Sequence, residues 1–258
     1  GYIFNSGEWQ KLEPTIRGDT AIFGSNELFA VAASTSGSRT AIGAPGSNPA
    51  GVIESGRVYV YDYRELPASW ILNGEIAGMA SDAAFGYTVD ISSDGSRLVA
   101  GAPGGDGYVD VYDFDGSSWQ QVAREQGAAG ERLGSSVTLI SSNLFAVGAP
   151  EFSNGQGRVL AFSEAALGAF TQVGPAIVGE PGERLGVSVA GKGQSISVLA
   201  GTATGVVKLY EYNPGTNNWV LISAVDTGLA HASIAATSQS EGLVVGGNNN
   251  AVVYALSL

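Results

Sequence analysis

The chain has 258 residues, 44% of them hydrophobic, and is long enough to bury a large core as a single all-β domain. Its formal charge of −12 disfavours nucleic acid and anionic membrane surfaces as partners, because both are negatively charged. No run of about 18 apolar residues occurs, so no membrane insertion is expected. The absence of cysteine excludes disulfides, thiolate metal sites and a cysteine nucleophile, and it leaves the redox compartment open.

The start of the sequence bears on where the protein works. The chain opens at Gly1 and its single methionine is Met79, which favours a protein trimmed during export or import. We therefore expect an extracellular location or another exported or lumenal compartment.

An aromatic residue recurs at steps of about 50 residues, which is the signature of a repeat architecture. The five positions are Trp9, Trp70, Trp119, Phe170 and Trp219, and the longer step of 61 residues from Trp9 to Trp70 must hold an insertion. A further step of 48 residues leads from Trp219 through the two chain ends back to Trp9, so the five steps add up to the chain length. The sequence thus predicts a ring of five units, with one aromatic residue packed between each pair of neighbours.

Each unit predicts four short antiparallel strands, and residues 85–122 show the pattern best. Phe85–Ile91 and Arg97–Pro103 flank a Ser-Asp-Gly turn, and Tyr108–Phe114 precedes a second turn and a strand at Trp119–Val122. A four-stranded meander is one blade of a propeller. The predicted blades of this single domain, 1–258, cover approximately 14–75, 76–124, 125–175, 176–224, and 225–258 together with 1–13.

Two short motifs recur at fixed places in the units. A Phe-Gly element, relaxed to Leu-Gly, precedes the first strand at Phe85–Gly86, Leu133–Gly134 and Leu185–Gly186. A Gly-Ala-Pro element ends the second strand at Gly43–Pro45, Gly101–Pro103 and Gly148–Pro150. The units therefore resemble the FG-GAP repeat, the blade of integrin-α-like propellers, over the whole chain.

The resemblance implies an all-β, five-bladed β-propeller of four-stranded antiparallel blades. It implies a role in binding without naming a ligand, because the family serves adhesion receptors, lectins and scaffolds. The Asp-x-Asp-x-Asp-Gly calcium loops of integrin-type blades are missing from the corresponding turns, such as Ser93–Gly95. No calcium site is carried over, and no metal or cofactor is expected.

The last blade is expected to be shared between the chain ends. Ser233–Leu258 supplies three inner strands, and Glu8–Glu13 supplies the outer strand that closes the ring. However, Val252–Leu256 and Tyr2–Phe4 both match the end of a third strand. The extra strand is either an overhang or part of a longer array.

Catalysis has little support in the sequence. His231 is the only histidine and no serine-nucleophile motif accompanies it. A glycosidase site needs two carboxylates about 5 to 10 Å apart. Asp90 lies in the predicted first strand of the second blade, and the aligned residues of other blades are Ala32, Thr138 and Ala190. No second carboxylate therefore recurs at this level. A loop acid, Asp106 or Glu54, is the remaining candidate for a second carboxylate.

The most individual segment is an insertion in the first blade, Gly46–Ser55. Loops on a rigid scaffold are common binding sites, so Gly46, Asn48, Glu54, Asp90 and Asp106 are the candidate binding residues. We expect a non-catalytic module that binds a protein, as a peripheral subunit or at a cell surface. The alternatives are a lectin with carbohydrate sites repeated around the ring and a glycoside-hydrolase-like enzyme with one channel site.

Overall fold

The computed structural model describes residues 2–5, 8–11, 30–34, 37–166, 168–192, 196–229, 233–236, 242–247 and 250–255. Within these ranges the protein is all-β, as predicted, and the strands pair in antiparallel fashion. Helical structure in this part of the chain is limited to two short turns, Pro49–Gly51 and Phe152–Gly155.

Three sheets are four-stranded meanders with the same strand order. Sheet 1 contains β3 (Ala30–Ala33), β4 (Arg39–Ala44), β5 (Arg57–Glu65) and β6 (Ala68–Ala77). Sheet 2 contains β7 (Thr88–Ile91), β8 (Arg97–Ala102), β9 (Tyr108–Phe114) and β10 (Trp119–Gln126). Sheet 4 contains β16 (Ser188–Lys192), β17 (Ser197–Gly201), β18 (Val206–Asn213) and β19 (Asn218–Asp226).

Sheet 3 follows the same plan with an interrupted fourth strand. Its strands are β11 (Ser136–Ser141), β12 (Leu144–Ala149), β13 (Arg158–Ala166) and β14 (Ala169–Gln172), with β15 (Ile177–Val178) pairing again with β13. Pro175 lies between the two outer pieces and has no N–H to donate to a neighbouring strand. The proline therefore accounts for the break.

The chain ends form two smaller sheets. Sheet 5 has three strands, β20 (Ser233–Ala236), β21 (Gly242–Gly247) and β22 (Asn250–Ala255), and the N-terminal hairpin has two, β1 (Tyr2–Asn5) and β2 (Glu8–Lys11). The prediction placed β2 beside β22, but the pairing found among the described strands is with β1.

The register of the N-terminal hairpin explains this difference. Phe4 lies opposite Trp9, just as Phe114 lies opposite Trp119 in sheet 2. The segment before Trp9 is thus a complete third-strand partner for β2.

A hydrophobic core lies between each sheet and the next. Val58 and Val60 of sheet 1 pack with Leu98 and Ala100 of sheet 2, and all four side chains are fully buried. Equivalent cores join sheets 2 and 3, sheets 3 and 4, and sheets 4 and 5. Tyr59, on the face of sheet 1 that points away from sheet 2, is also buried.

The two recurrent motifs meet where neighbouring sheets approach most closely. The residue just before the third strand forms a parallel β-bridge with the unit that follows. The bridged pairs are Gly56 and Phe85, Gly107 and Leu133, and Gly157 and Leu185. A Cβ atom on Gly101 would overlap the carbonyl oxygen of Gly134 and lie 2.5 Å from Thr88 Oγ1. Only glycine fits there, which explains the glycine of the Gly-Ala-Pro element.

Arg97, the first residue of β8, ties sheet 2 to sheet 3. Its Nε donates to Asp113 Oδ1 at 2.6 Å, and its Nη1 donates to the Ser142 carbonyl oxygen at 2.7 Å. The same guanidinium pairs with Glu164 at 2.7 Å and lies over the ring of Phe170. Its side chain is only 8% exposed, so the ion pairs are shielded from water.

Arg39, at the equivalent position in sheet 1, repeats the arrangement toward sheet 2. It donates to Asp62 and to the Gly95 carbonyl oxygen, and it lies over the ring of Phe114. One arginine therefore contacts its own third strand, the next sheet's first turn and the next sheet's outer hairpin.

Arg97→Met is expected to lower the free energy of unfolding by about 3 to 5 kcal/mol, because it leaves Asp113 and Glu164 without their shared cation. Urea denaturation measures the change. Arg64→Met is the matched control, since Arg64 is exposed, and its effect should stay within about 0.5 kcal/mol. Equal stability of the two variants would contradict this role for Arg97.

Candidate functional site

The first strands of all five sheets line two adjoining cavities of about 600 and 610 Å³. Five apolar residues at equivalent positions line both cavities and form what we call the apolar ring. These are Val31, Val89, Val137, Val189 and Ile234. The upper cavity opens at the end of the sheets where second strands connect to third strands, and the lower cavity opens at the opposite end.

Asp90 lies in the lower cavity, where Ala32, Thr138 and Ala190 also line the wall. Its carboxylate accepts hydrogen bonds from the backbone N–H of Leu139 at 2.7 Å and of Ile91 at 2.8 Å. Burial raises the pKa of Asp90, although these N–H donors and the Thr138 side chain oppose the shift. Asp90 thus joins the first strands of sheets 2 and 3, and it is the sole acid lining this cavity in the described part of the chain.

The other loop acids do not reach Asp90. Asp106 Oδ1 accepts a hydrogen bond from the Gly130 N–H at 2.8 Å, and its carbonyl oxygen accepts one from Leu133. Asp106 therefore holds the segment that leads into sheet 3. Neither Asp106 nor Glu54 lines the cavity of Asp90, so the described residues provide no carboxylate pair there.

The insertion between β4 and β5 is fixed to the loop that precedes sheet 2. Asn48 Oδ1 accepts a hydrogen bond from the Glu54 N–H at 2.6 Å, inside a loop that starts at Gly46. The Ile53 and Glu54 carbonyl oxygens then accept hydrogen bonds from Asp82 and Ala84 at 3.0 Å. Backbone contacts therefore give the insertion a defined shape.

Two large apolar side chains are exposed on this pair of loops. Ile53 is 64% exposed and Met79, on the neighbouring loop, is 87% exposed. Glu54 is exposed beside them and has a left-handed backbone, with φ of 43°. We call Ile53, Glu54 and Met79 the upper platform.

The upper cavity carries charged residues that the sequence analysis did not select. Arg132, Glu151 and Arg184 line it, together with Tyr87 and Ser135. Arg184 pairs with Glu151 at 2.9 Å. Arg132 is exposed and forms no ion pair with a residue that the structure describes.

A repeated pentapeptide, Gly-Glu-Arg-Leu-Gly, places both arginines. It occurs at Gly130–Gly134 and Gly182–Gly186. Its glutamate binds a third-strand cation, as in the pair of Glu131 and Arg158 at 2.7 Å, and its leucine forms the bridge to the preceding sheet. The identical pentapeptides were the sequence signal that could have identified the arginines.

Three of the recurrent aromatic residues, Trp119, Phe170 and Trp219, lie at sheet interfaces. The Trp119 indole N–H donates to Asn73 Oδ1 at 2.9 Å, and the Trp219 indole N–H donates to the Val173 carbonyl oxygen at 3.2 Å. Phe170 packs on Phe145 and lies beneath Arg97, and Trp70 packs on Tyr63. The two indole N–H groups are therefore already engaged by a neighbouring sheet.

No group of three or more histidine, cysteine, aspartate or glutamate side chains in the described residues is arranged to hold a metal ion. Within the same residues, no helix has the length and apolar character needed to cross a membrane. His231 lies outside the described residues.

Comparison of the chain with protein-family models found no match, and comparison with curated proteins found none that is significantly similar.

The raised pKa of Asp90 predicts a pH-dependent difference in stability between the wild type and Asp90→Asn. Below the ordinary pKa of 3.8 the protonated side chain contributes its full stability, and this contribution is lost as the pH rises through the folded-state pKa. The wild type should therefore lose unfolding free energy relative to Asp90→Asn by at most about 1.4 kcal/mol per pH unit in that window. Urea denaturation between about pH 3 and 7 measures the difference.

Asp94→Asn is the control of opposite sign. Hydrogen bonds from Ser92 and Ser96 lower the pKa of Asp94, so its contribution is present above pH 3.8 and is lost as the pH falls through the folded-state pKa. A constant difference between the wild type and Asp90→Asn across this pH range would contradict the raised pKa.

Proposed function

We propose that this protein is a non-catalytic binding module, built as a five-bladed propeller of FG-GAP type, that docks a protein partner through its upper end. We further propose that it works as a peripheral subunit or at a cell surface, in an exported or lumenal compartment. The observation that carries the proposal is the upper platform, which presents Ile53 and Met79 on loops held by backbone hydrogen bonds.

The ring arrangement is supported by three features of the sheets. All five first strands line the same two cavities. Each of sheets 1 to 4 packs on its successor through a separate core, and the far face of sheet 1 is buried as well at Tyr59 and Ala44. A row of sheets that bury both faces and share a central cavity is the arrangement of propeller blades.

Closure of the ring assigns a position to β2. Among the described strands β2 pairs with β1 only, and no pairing joins it to β22. We propose that in the closed ring the free edge of β2 lies beside β22, in the place of a fourth strand of sheet 5. In this arrangement β1 is an additional outermost strand, which accounts for the extra third-strand sequence. Trp9 would then cover Ile222, which is 46% exposed. Ile222 in sheet 4 is equivalent to Asn73 in sheet 1 and Val173 in sheet 3, which accept hydrogen bonds from the indoles of Trp119 and Trp219.

Trp9→Ala tests the closure. If Trp9 is packed between sheets 4 and 5, the substitution should lower the free energy of unfolding by about 3 to 5 kcal/mol, as expected for a buried tryptophan. Trp119→Ala is the matched control, because Trp119 occupies the equivalent position between sheets 1 and 2. A Trp9→Ala effect below about 1 kcal/mol in urea denaturation would show that β2 does not close the ring.

Protein binding is favoured over the lectin and hydrolase alternatives because the indole and carboxylate groups that could serve a sugar site already serve the fold. The indoles of Trp119 and Trp219 donate to neighbouring sheets. The buried carboxylate of Asp110 pairs with Arg124 at 2.6 Å, and Asp90 is bound by backbone N–H groups. By contrast, the apolar side chains of the upper platform are exposed on loops held by backbone hydrogen bonds, so burying them against a partner would remove apolar surface from water.

The double variant Ile53→Asp/Met79→Asp tests the docking role. In native electrophoresis of an extract from the source organism, the tagged wild-type chain should migrate within a larger particle. The double variant should migrate near the 26.2 kDa of the chain alone, because two buried charges at an interface oppose association.

Leu66→Asp is the matched control for this experiment. Leu66 is 93% exposed but lies in the turn between β5 and β6, at the lower end of sheet 1. This variant should keep the native mass of the wild type. Migration of the wild type near 26.2 kDa in the extract would refute the docking role itself.

A further inference from the structure

Arg132 and Arg184 occupy a backbone conformation that favours glycine. Their φ angles are 58° and 53°, and the equivalent residue before sheet 2, Ala84, has a φ of 55°. The left-handed conformation is therefore a property of this place in the fold, and any side chain there costs about 1 kcal/mol or more relative to glycine. Two units nevertheless carry arginine at the rim of the upper cavity.

Only one of the two arginines is available to a ligand. Arg184 is neutralised by Glu151, whereas Arg132 has no ion-pair partner in the described part of the chain. The cations that do form ion pairs there are Arg39, Arg57, Arg97, Arg124, Arg158, Arg184 and Lys208. The described residues that line the upper cavity thus carry a net positive charge, in a protein whose formal charge is −12.

The upper cavity combines this cation with an apolar floor. The apolar ring lies at its inner end, where the two cavities adjoin, and Arg132, Tyr87 and Ser135 also line it. Val31 is the most exposed member of the ring, at 66%, whereas Val89 and Val189 are mostly buried between sheets. Its volume of about 600 Å³ suits a small group such as one or two amino-acid residues. The matching ligand carries one carboxylate next to an apolar group.

We propose that the upper cavity binds the C-terminal residue of a partner protein, with the terminal carboxylate on Arg132 and an apolar side chain on the apolar ring. This inference rests on the proposed docking function, since the cavity and the upper platform lie at the same end of the sheets. A chain end fits better than an internal acidic residue, because its carboxylate and its side chain leave the same Cα atom and the cavity places a cation close to apolar residues. Beyond about 8 Å, physiological salt screens the repulsion between the acidic protein and this single negative charge.

N-acetyl-leucine is the probe for this site, because it carries a chain-end carboxylate beside an apolar side chain. Titration into the wild-type protein, followed by NMR, should show saturable binding. N-acetyl-leucinamide, which lacks the charge, should bind about tenfold more weakly, as should N-acetyl-leucine to Arg132→Gln. Arg64→Gln, which removes an exposed arginine near the lower end of sheet 1, should bind like the wild type.

Two further variants sharpen the test. Glu151→Gln should increase the affinity for N-acetyl-leucine about threefold, because it releases Arg184 and removes a negative charge from the rim. Arg132→Gly should unfold at a higher urea concentration than the wild type, because glycine adopts a φ of 58° readily, yet it should lose binding. Loss of binding by a more stable variant separates the ligand role from a folding defect.

Equal affinity for N-acetyl-leucine and its amide, or unchanged binding by Arg132→Gln, would overturn the proposal. Tighter binding of N-acetylglutamate α-amide than of N-acetyl-leucine would also overturn it, in favour of an internal acidic side chain. These failures are distinguishable from failure of the docking function, which is measured by the native mass of the Ile53→Asp/Met79→Asp variant.

Discussion

Close approach of backbone to backbone between neighbouring sheets is the constraint on which the rest of the structure depends. Gly101 faces the carbonyl oxygen of Gly134 at a distance that leaves no room for a Cβ atom. This approach lets the residue before each first strand, such as Leu133, pair with the preceding sheet and become buried. The two glycine-containing motifs are therefore two sides of one contact, and their spacing sets the distance between sheets.

The polar interactions at the two ends of the sheets depend on that spacing. At the lower end, Arg97 on the second strand of sheet 2 binds both Asp113 on the third strand and the Ser142 carbonyl oxygen in the turn of sheet 3. In sheet 3 the equivalent cross-strand pair is Leu144 and Ser163, so cation and carboxylate are both absent there. Replacement of both partners avoids an unpaired buried charge, which would cost more than loss of the ion pair itself. At the upper end, Glu131 and Arg158 bind in a similar buried setting.

Much of the fold was predictable from the sequence, because strand alternation, glycine turns and the aromatic period are local signals. The third strand Tyr108–Phe114 has the bounds expected from its valine and tyrosine pattern. The pairing of β2 was not predictable, since β1 and β22 both have third-strand sequences and local pattern does not choose between them. Of the candidate binding residues predicted from the sequence, Asp90 is the one that lines a cavity, the lower one. Arg132 was missed because its importance depends on what it fails to contact, and ion-pair partners distant in sequence are visible only in the structure.

The candidate ligand group and the packing constraint share one segment. Arg132 stands between Glu131, which is 2% exposed and paired with Arg158, and Leu133, which is 1% exposed and bridged to Gly107. With both neighbours anchored, the backbone at Arg132 has no freedom to leave the left-handed region. The arginine Cα is thus held at the rim of the cavity before any ligand arrives, which reduces the entropy lost on binding. Glutamate and leucine are needed for packing, so the arginine position is where this repeat has room to carry a binding group.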